Sequence, residues 1–315
     1  MTHATERSSY TIPDLPDFLR EVPEDRERWF RWREAVLGFR VIAHREAEAD
    51  EEFRNYLIET CRRDYAFAMV VFGVLVEPRN VRDFIVGEDG ELTTVIRRKG
   101  WYPWVPFRFQ VEVIREIQAA LDTEMDETGK EDIFVEKSRD MGLTWIFCFY
   151  AAMDWLFGDD VLVGMYSHKE DLVDSESPKS MFYKVRSLVG VNSKVPTKCW
   201  SPSCPPFHQV PVRLPSWLIP AGWNPKEHDR KLNLVHPTKT NQIMGESTTA
   251  KSGIGDRTGY NILDEVSKHK DFYNMWSNQS AVTNHRFALT SPDRRVSDDA
   301  YQLAQQARAA QRDPT

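Results

Sequence analysis

The stretch Thr144–Phe157, TWIFCFYAAMDWLF, is apolar around its whole circumference if helical, so it folds only where other structure covers it on every side. Its unbroken apolar run, Trp145–Met153, is shorter than the roughly 20 residues a bilayer span takes. The covering layers must therefore be protein. Directly before it stands EDIFVEKSRDMG (131–142), an apolar run of strand length followed by a polar turn with Gly142. A buried strand, a tight turn and a buried helix, in that order, open an α/β layered fold.

Three further runs have the length of buried strands and end in polar residues: DDVLVGMYS (159–167), TGYNILDE (258–265) and HRFALTSP (285–292). SESPKSMFYKVRSLVG (175–190) has helical spacing. The alternation predicts an α/β fold, a mainly parallel sheet flanked by helices. Ligands of such sheets lie beyond the carboxyl ends of the strands. Here those ends are Lys137–Thr144, Ser167, Asp264–Glu265 and Thr290–Ser291. Before the core, residues 1–13 read as a disordered tail and 14–90 as a small helical subdomain. The core is expected over 91–300, with a proline-rich insertion at about 190–240, and 301–315 as a tail or linker.

Composition excludes several classes. A net charge of −7 over 315 residues argues against a simple sequence-independent DNA-binding domain, though a local basic face remains compatible with it. Cys61, Cys148, Cys199 and Cys204 are too few for a disulfide scaffold and predict a reducing, intracellular setting. The opening MTHATERSSY has no apolar segment, so no secretory signal is expected. Cys199, Cys204 and His208 form only a loose metal pattern without a fourth ligand close in sequence, so zinc is not expected there.

The turn after the first strand is a phosphate-loop candidate. Against G-x-x-x-x-G-K-[ST], Gly142 and Thr144 match, while Lys137 and Leu143 replace the first glycine and the lysine. Gly142 would let the backbone approach phosphates, and Thr144 would put a hydroxyl on Mg²⁺. The missing cation falls to Lys137 or Arg139, which the sequence does not rank. About 120 residues later, Asp264 at a strand end suits Mg²⁺ held through water, and Glu265 suits polarisation of an attacking water.

In order along the chain, CRRDYAFAM, PFRFQVEVI, KSRDMGLTW, MYSHKEDLVDSESPKSMFYKVRSLV, LPSWLIP, IMGESTTAKSGIGDRTGYNILDE and FALTSP resemble the ATPase part of large terminase subunits, the DNA-packaging motors of tailed bacteriophages. The resemblance covers about Cys61–Pro292 and implies a P-loop NTPase-type core that uses ATP and Mg²⁺. It implies nucleotide binding by Lys137, Ser138, Arg139, Asp140, Met141, Gly142, Leu143, Thr144 and Trp145, with Gln110 as the adenine-binding glutamine. By the same likeness Glu265, Arg257 and Arg139 are catalytic, Arg257 as a recurrent arginine able to act in trans, and Thr290 and Ser291 belong to a coupling motif. Thr144 and Asp264 would hold Mg²⁺. Partners implied are double-stranded DNA, the portal protein, the small terminase subunit and further copies in a ring on the procapsid, in the host cell cytoplasm and without a membrane. A nuclease domain would follow the coupling motif and is expected to be absent from this chain. Leu143 and Asn261 depart from the family pattern. Two other readings remain: another P-loop translocase or helicase, although helicases usually carry two such cores and an intact Gly-Lys-Thr, and a non-hydrolysing nucleotide-binding module.

Overall fold

A computed structural model describes residues 21–87, 89–122, 132–137, 141–199, 209–247, 257–269 and 272–291, together with residues 302 and 305. Among the described residues three helices come first: α1 (Arg26–Ala49), α2 (Glu51–Arg63) and α3 (Tyr65–Phe72). Each is started by an aspartate whose carboxylate accepts backbone N–H groups of the first turn: Asp25, Asp50 and Asp64. The last two caps fall between helices, which is why one charged stretch breaks into three rods.

The chain then turns extended. β1 (Val74–Glu77), β2 (Val81–Val86), β3 (Leu92–Arg97) and β4 (Gly100–Pro103) make two antiparallel pairs, β1 with β4 and β2 with β3. The expected helical subdomain over 14–90 is therefore helical only to Phe72, and its strands run past its expected end to Pro103. The physical reason is local: the helix closes at its C-cap Gly73, and the Val-rich segments between Val74 and Arg97 favour extended backbone. This unit packs directly on the rest of the chain. Buried residues of α1 and α3 belong to the same continuous apolar core as those of the helix at 143–157.

The rest is the expected α/β body. α4 (Arg108–Asp122) leads to β5 (Asp132–Glu136), α5 (Leu143–Phe157), β6 (Leu162–Ser167), α6 (Glu170–Val173) and α7 (Met181–Leu188). The proline-rich segment holds β7 (Lys198–Cys199), β8 (Val210–Pro211), α8 (Pro225–His228), β9 (Asp229–Arg230) and β10 (Asn233–Val235). β11 (Gln242–Ser247), β12 (Thr258–Asp264), α9 (Phe272–Gln279) and β13 (Thr283–Thr290) complete it. One seven-stranded sheet has the order β5-β13-β12-β6-β11-β10-β9. Its first five strands are mutually parallel, and β10 and β9 add an antiparallel edge. The insertion thus contributes two strands to the main sheet. All four runs expected as core strands lie in it, and the fold is α/β with a mainly parallel sheet flanked by helices.

α5 is buried along nearly its whole length, as its composition requires. Its Asp154 is the exception in kind: Oδ1 accepts the Tyr65 hydroxyl at 2.7 Å and Oδ2 the Tyr260 hydroxyl at 2.7 Å. That carboxyl ties α3, α5 and β12 together, and burial pushes its pKa up to about 6. Asn261, the polar interruption in the Asp-Glu strand, is fully buried opposite Gly164, where a Cβ would stand 2.2 Å from its Oδ1. The same Oδ1 accepts the Thr258 hydroxyl at 2.8 Å. A glycine on the neighbouring strand makes the room this asparagine needs.

Candidate active site

Strand register assembles one edge. Ser167 lies opposite both Asp264 and Ser247, and Glu136 opposite Thr290, so the polar ends of β5, β13, β12, β6 and β11 align in a row. The sheet order places β13 between the loop strand β5 and the Asp-Glu strand β12. The Thr290 carbonyl accepts the Lys137 backbone N–H at 2.8 Å, which fastens the start of the loop to the end of β13. Thr290 is buried and Ser291 half-buried.

At the centre of that row, Lys137 Nζ donates to Thr144 Oγ1 at 2.7 Å and to Asp264 Oδ1 at 3.0 Å. The Thr144 hydroxyl donates to Asp264 Oδ2 at 3.0 Å. The Lys137 and Asp264 side chains are each 13% exposed. The ammonium occupies the point where a hydroxyl and a carboxylate converge. It stands in for a cation between two hard oxygen donors, the donor class Mg²⁺ prefers. Thr144 and Asp264 fit that ion. Among the described residues no three His, Cys, Asp or Glu side chains converge on a metal. A Mg²⁺ ion at this point would depend on phosphate and water oxygens to fill its shell.

Gly142 caps α5 with φ 76°, a left-handed conformation that a glycine adopts without steric cost. A Cβ there would also stand 3.1 Å from Gln110 Nε2. Leu143, at the position usually held by lysine, is buried in the core at the start of α5. A cation at that position would be drawn into the apolar layer. Trp145 packs edge-on against Trp104, with ring centroids 6.4 Å apart. Ser138, Arg139 and Asp140 lie outside the described residues, as do Cys204 and His208; Cys199 is buried in β7.

Gln110 is buried and fully engaged. Its Oε1 accepts from Trp104 Nε1 and Phe107 N at 3.1 Å each, and its Nε2 donates to the Met141 carbonyl at 3.0 Å. In this arrangement its amide fastens α4 to the loop. Arg257 is not brought to the cluster. It is exposed and precedes Thr258, whose N–H bonds to the Val282 carbonyl at the start of the β12–β13 pairing. Asp264 is at the other end of β12, whose 7 residues put roughly 20 Å between the two at the usual rise per residue. Arg257 therefore lies at the opposite edge of the sheet from Asp264, because β12 runs between them.

Glu265 follows Asp264 with φ 57°, a left-handed backbone in a non-glycine residue, and its N–H donates to Asp264 Oδ1 at 3.0 Å. Such conformations concentrate at functional sites. Its carboxylate lies 2.8 Å from Lys268 Nζ and 3.4 Å from His168 Nδ1. His269 Nε2 bonds to the Asp264 carbonyl at 3.2 Å, and burial lowers its pKa to about 4, so the ring is neutral near pH 7 and donates that hydrogen bond. A buried lysine, Lys184 of α7, donates to the carbonyls of Lys179 and Ser180 at 2.6 and 3.1 Å and sits 5.7 Å from the Trp145 ring centre. Burial lowers its pKa. His168, Lys268, His269 and Lys184 were not among the residues expected from sequence. The first three were within reach of that reading, standing within a few residues of the polar strand ends Ser167 and Asp264–Glu265.

No family model matches the chain, and no curated protein does. Among solved structures, the HK97 bacteriophage large terminase is similar, with a TM-score of 0.44 and 14% identity. The likeness covers 67% of this chain and 38% of that one, so this chain matches well under half of that terminase's length. Among the described residues, no helix is long and apolar enough to cross a membrane.

Proposed function

We propose that this chain is an ATP-hydrolysing motor domain that couples hydrolysis to movement of double-stranded DNA in viral genome packaging. The observation that carries the reading is the contact of Lys137 with Thr144 and Asp264, a cation, a hydroxyl and a carboxylate from three separate segments meeting at the carboxyl edge of a parallel sheet. The order of the sequence motifs supplies the packaging part of the proposal. Lys137 would contact the phosphates, beside the backbone N–H groups at the start of α5. Thr144 and Asp264 would hold Mg²⁺, which when bound with the nucleotide offsets phosphate charge. Glu265 would orient a water and accept its proton.

Thr290 gives the proposal a mechanical link. Its carbonyl holds the Lys137 N–H, so a shift of the loop on nucleotide binding would be transmitted to the end of β13. DNA, a portal protein, a small terminase subunit and further copies of this chain are the partners this reading implies. Steady-state ATPase assays with and without double-stranded DNA test it. Hydrolysis that rises with DNA is the expected result. Nucleotide binding without hydrolysis under both conditions would instead mark a binding module, and no nucleotide binding at all would overturn the reading.

A further inference from the structure

We propose that His168 is the positioning residue of the Glu265 carboxylate, an inference that rests on reading Glu265 as the hydrolytic base. β6 and β12 are parallel neighbours with Ser167 opposite Asp264. The next residue of each strand, His168 and Glu265, therefore emerges beside the other at the carboxyl edge. His168 Nδ1 lies 3.4 Å from Glu265 Oε2. Both atoms are buried, and neither has a hydrogen-bond partner among the described residues. Buried polar atoms are seldom left unmet, and here two of them face one another.

The remaining contacts show why the histidine matters. Glu265 Oε1 is 2.8 Å from Lys268 Nζ, but Lys268 is three residues on, in the same short turn, and 43% exposed. An exposed ion pair of that kind restrains a side chain weakly. His168 is 17% exposed and comes from a different strand, so it alone of the two couples the carboxylate to the sheet. Lys169, Lys268, Asp264 and the His269 ring, whose centroid is 6.3 Å away, surround it. A neutral imidazole N–H can orient a carboxylate without the full charge that would suppress its basicity.

The test compares the wild-type chain with His168→Ala and His168→Asn. His168→Ala is expected to lower kcat by about 10- to 100-fold, the range seen when a group that orients a functional side chain is removed. Binding of a fluorescent ATP analogue and Tm should change little. His168→Asn keeps an N–H donor near the Nδ1 position and should recover most of the turnover. An unchanged kcat in His168→Ala, with an active wild type, overturns the positioning role; so does a kcat loss matched by an equal loss of Tm in both variants. A measurement independent of hydrolysis is the imidazole nitrogen chemical shift of His168 in the wild type and in Glu265→Gln. A changed Nδ1 shift is expected, and identical shifts overturn the contact. A wild type that never hydrolyses ATP would end the reading of Glu265 as base, and the shift comparison would still decide the contact.

Discussion

Lys137→Ala removes the ammonium that bridges Thr144 and Asp264, and two opposite changes should follow. The lost contacts are charge-assisted hydrogen bonds of 2.7 and 3.0 Å, and the Lys137 and Asp264 side chains are each 13% exposed. A hydrogen bond to a charged group contributes about 1.5–3 kcal/mol, and each 1.4 kcal/mol is about tenfold in affinity. If the ammonium meets phosphate when nucleotide is bound, ATP affinity should fall by about 10- to 150-fold. Removing it also leaves Thr144 Oγ1 and Asp264 Oδ1 without that cation. Weak binding of Mn²⁺ or Mg²⁺ in the absence of nucleotide should therefore rise. Isothermal titration with a non-hydrolysable ATP analogue and, separately, with Mn²⁺ alone reads both arms. Leu143→Ala is the control: with Leu143 buried, it should lower stability by roughly 2–5 kcal/mol through the cavity it opens, and leave ATP affinity near normal. Unchanged ATP affinity in Lys137→Ala refutes the assignment of Lys137 as the phosphate cation. Unchanged affinity in Arg139→Ala as well would sink the phosphate-loop reading as a whole.

Glu265→Gln should keep nucleotide binding and lose turnover by on the order of 10²-fold or more, since an amide cannot take the proton of the attacking water; a kcat near wild type would place the base elsewhere. Gly142→Ala should destabilise the chain by about 1–2 kcal/mol, because φ 76° is unfavourable for any residue with a Cβ; urea unfolding measures it, and no change would mean the loop can leave this conformation freely. The Asp154 pKa is raised from 3.8 to about 6 by burial, so the folded state holds its proton to higher pH than the unfolded state does. Its contribution therefore falls as pH rises from about 4 to about 6, by roughly 3 kcal/mol in all. Asp154→Asn should remove that segment of the pH dependence, read as unfolding free energy at pH 4 and pH 7 against wild type; identical pH dependence in both would refute the assignment. Arg257→Ala should leave ATP affinity intact, and any loss of turnover should appear only where chains assemble; a loss in the isolated chain at all concentrations would contradict its place at the far edge of β12.

The sequence by itself determined the local units. Apolar runs bounded by polar turns made β5, β6, β12 and β13 recognisable, and the all-round apolar Thr144–Phe157 required a buried helix, because chain stiffness and burial act on neighbouring residues. It also marked Gly142, Thr144, Asp264 and Glu265 as strand-end residues with suitable chemistry. Where local signals competed, the reading went astray: the segment after Gly73 was grouped with the helices before it, although its Val-rich stretches form β1 and β2. What only the tertiary structure decided was who meets whom. Thr144 and Asp264 are 120 residues apart in the chain, and the sheet order and register bring them together. That same order places Thr290 against Lys137, sends Arg257 to the opposite edge and sets His168 beside Glu265, while the packing of α4 on the loop ties Gln110 to Met141. Contacts across a parallel sheet depend on which strands pair and in what register, and no spacing within a single strand encodes that choice.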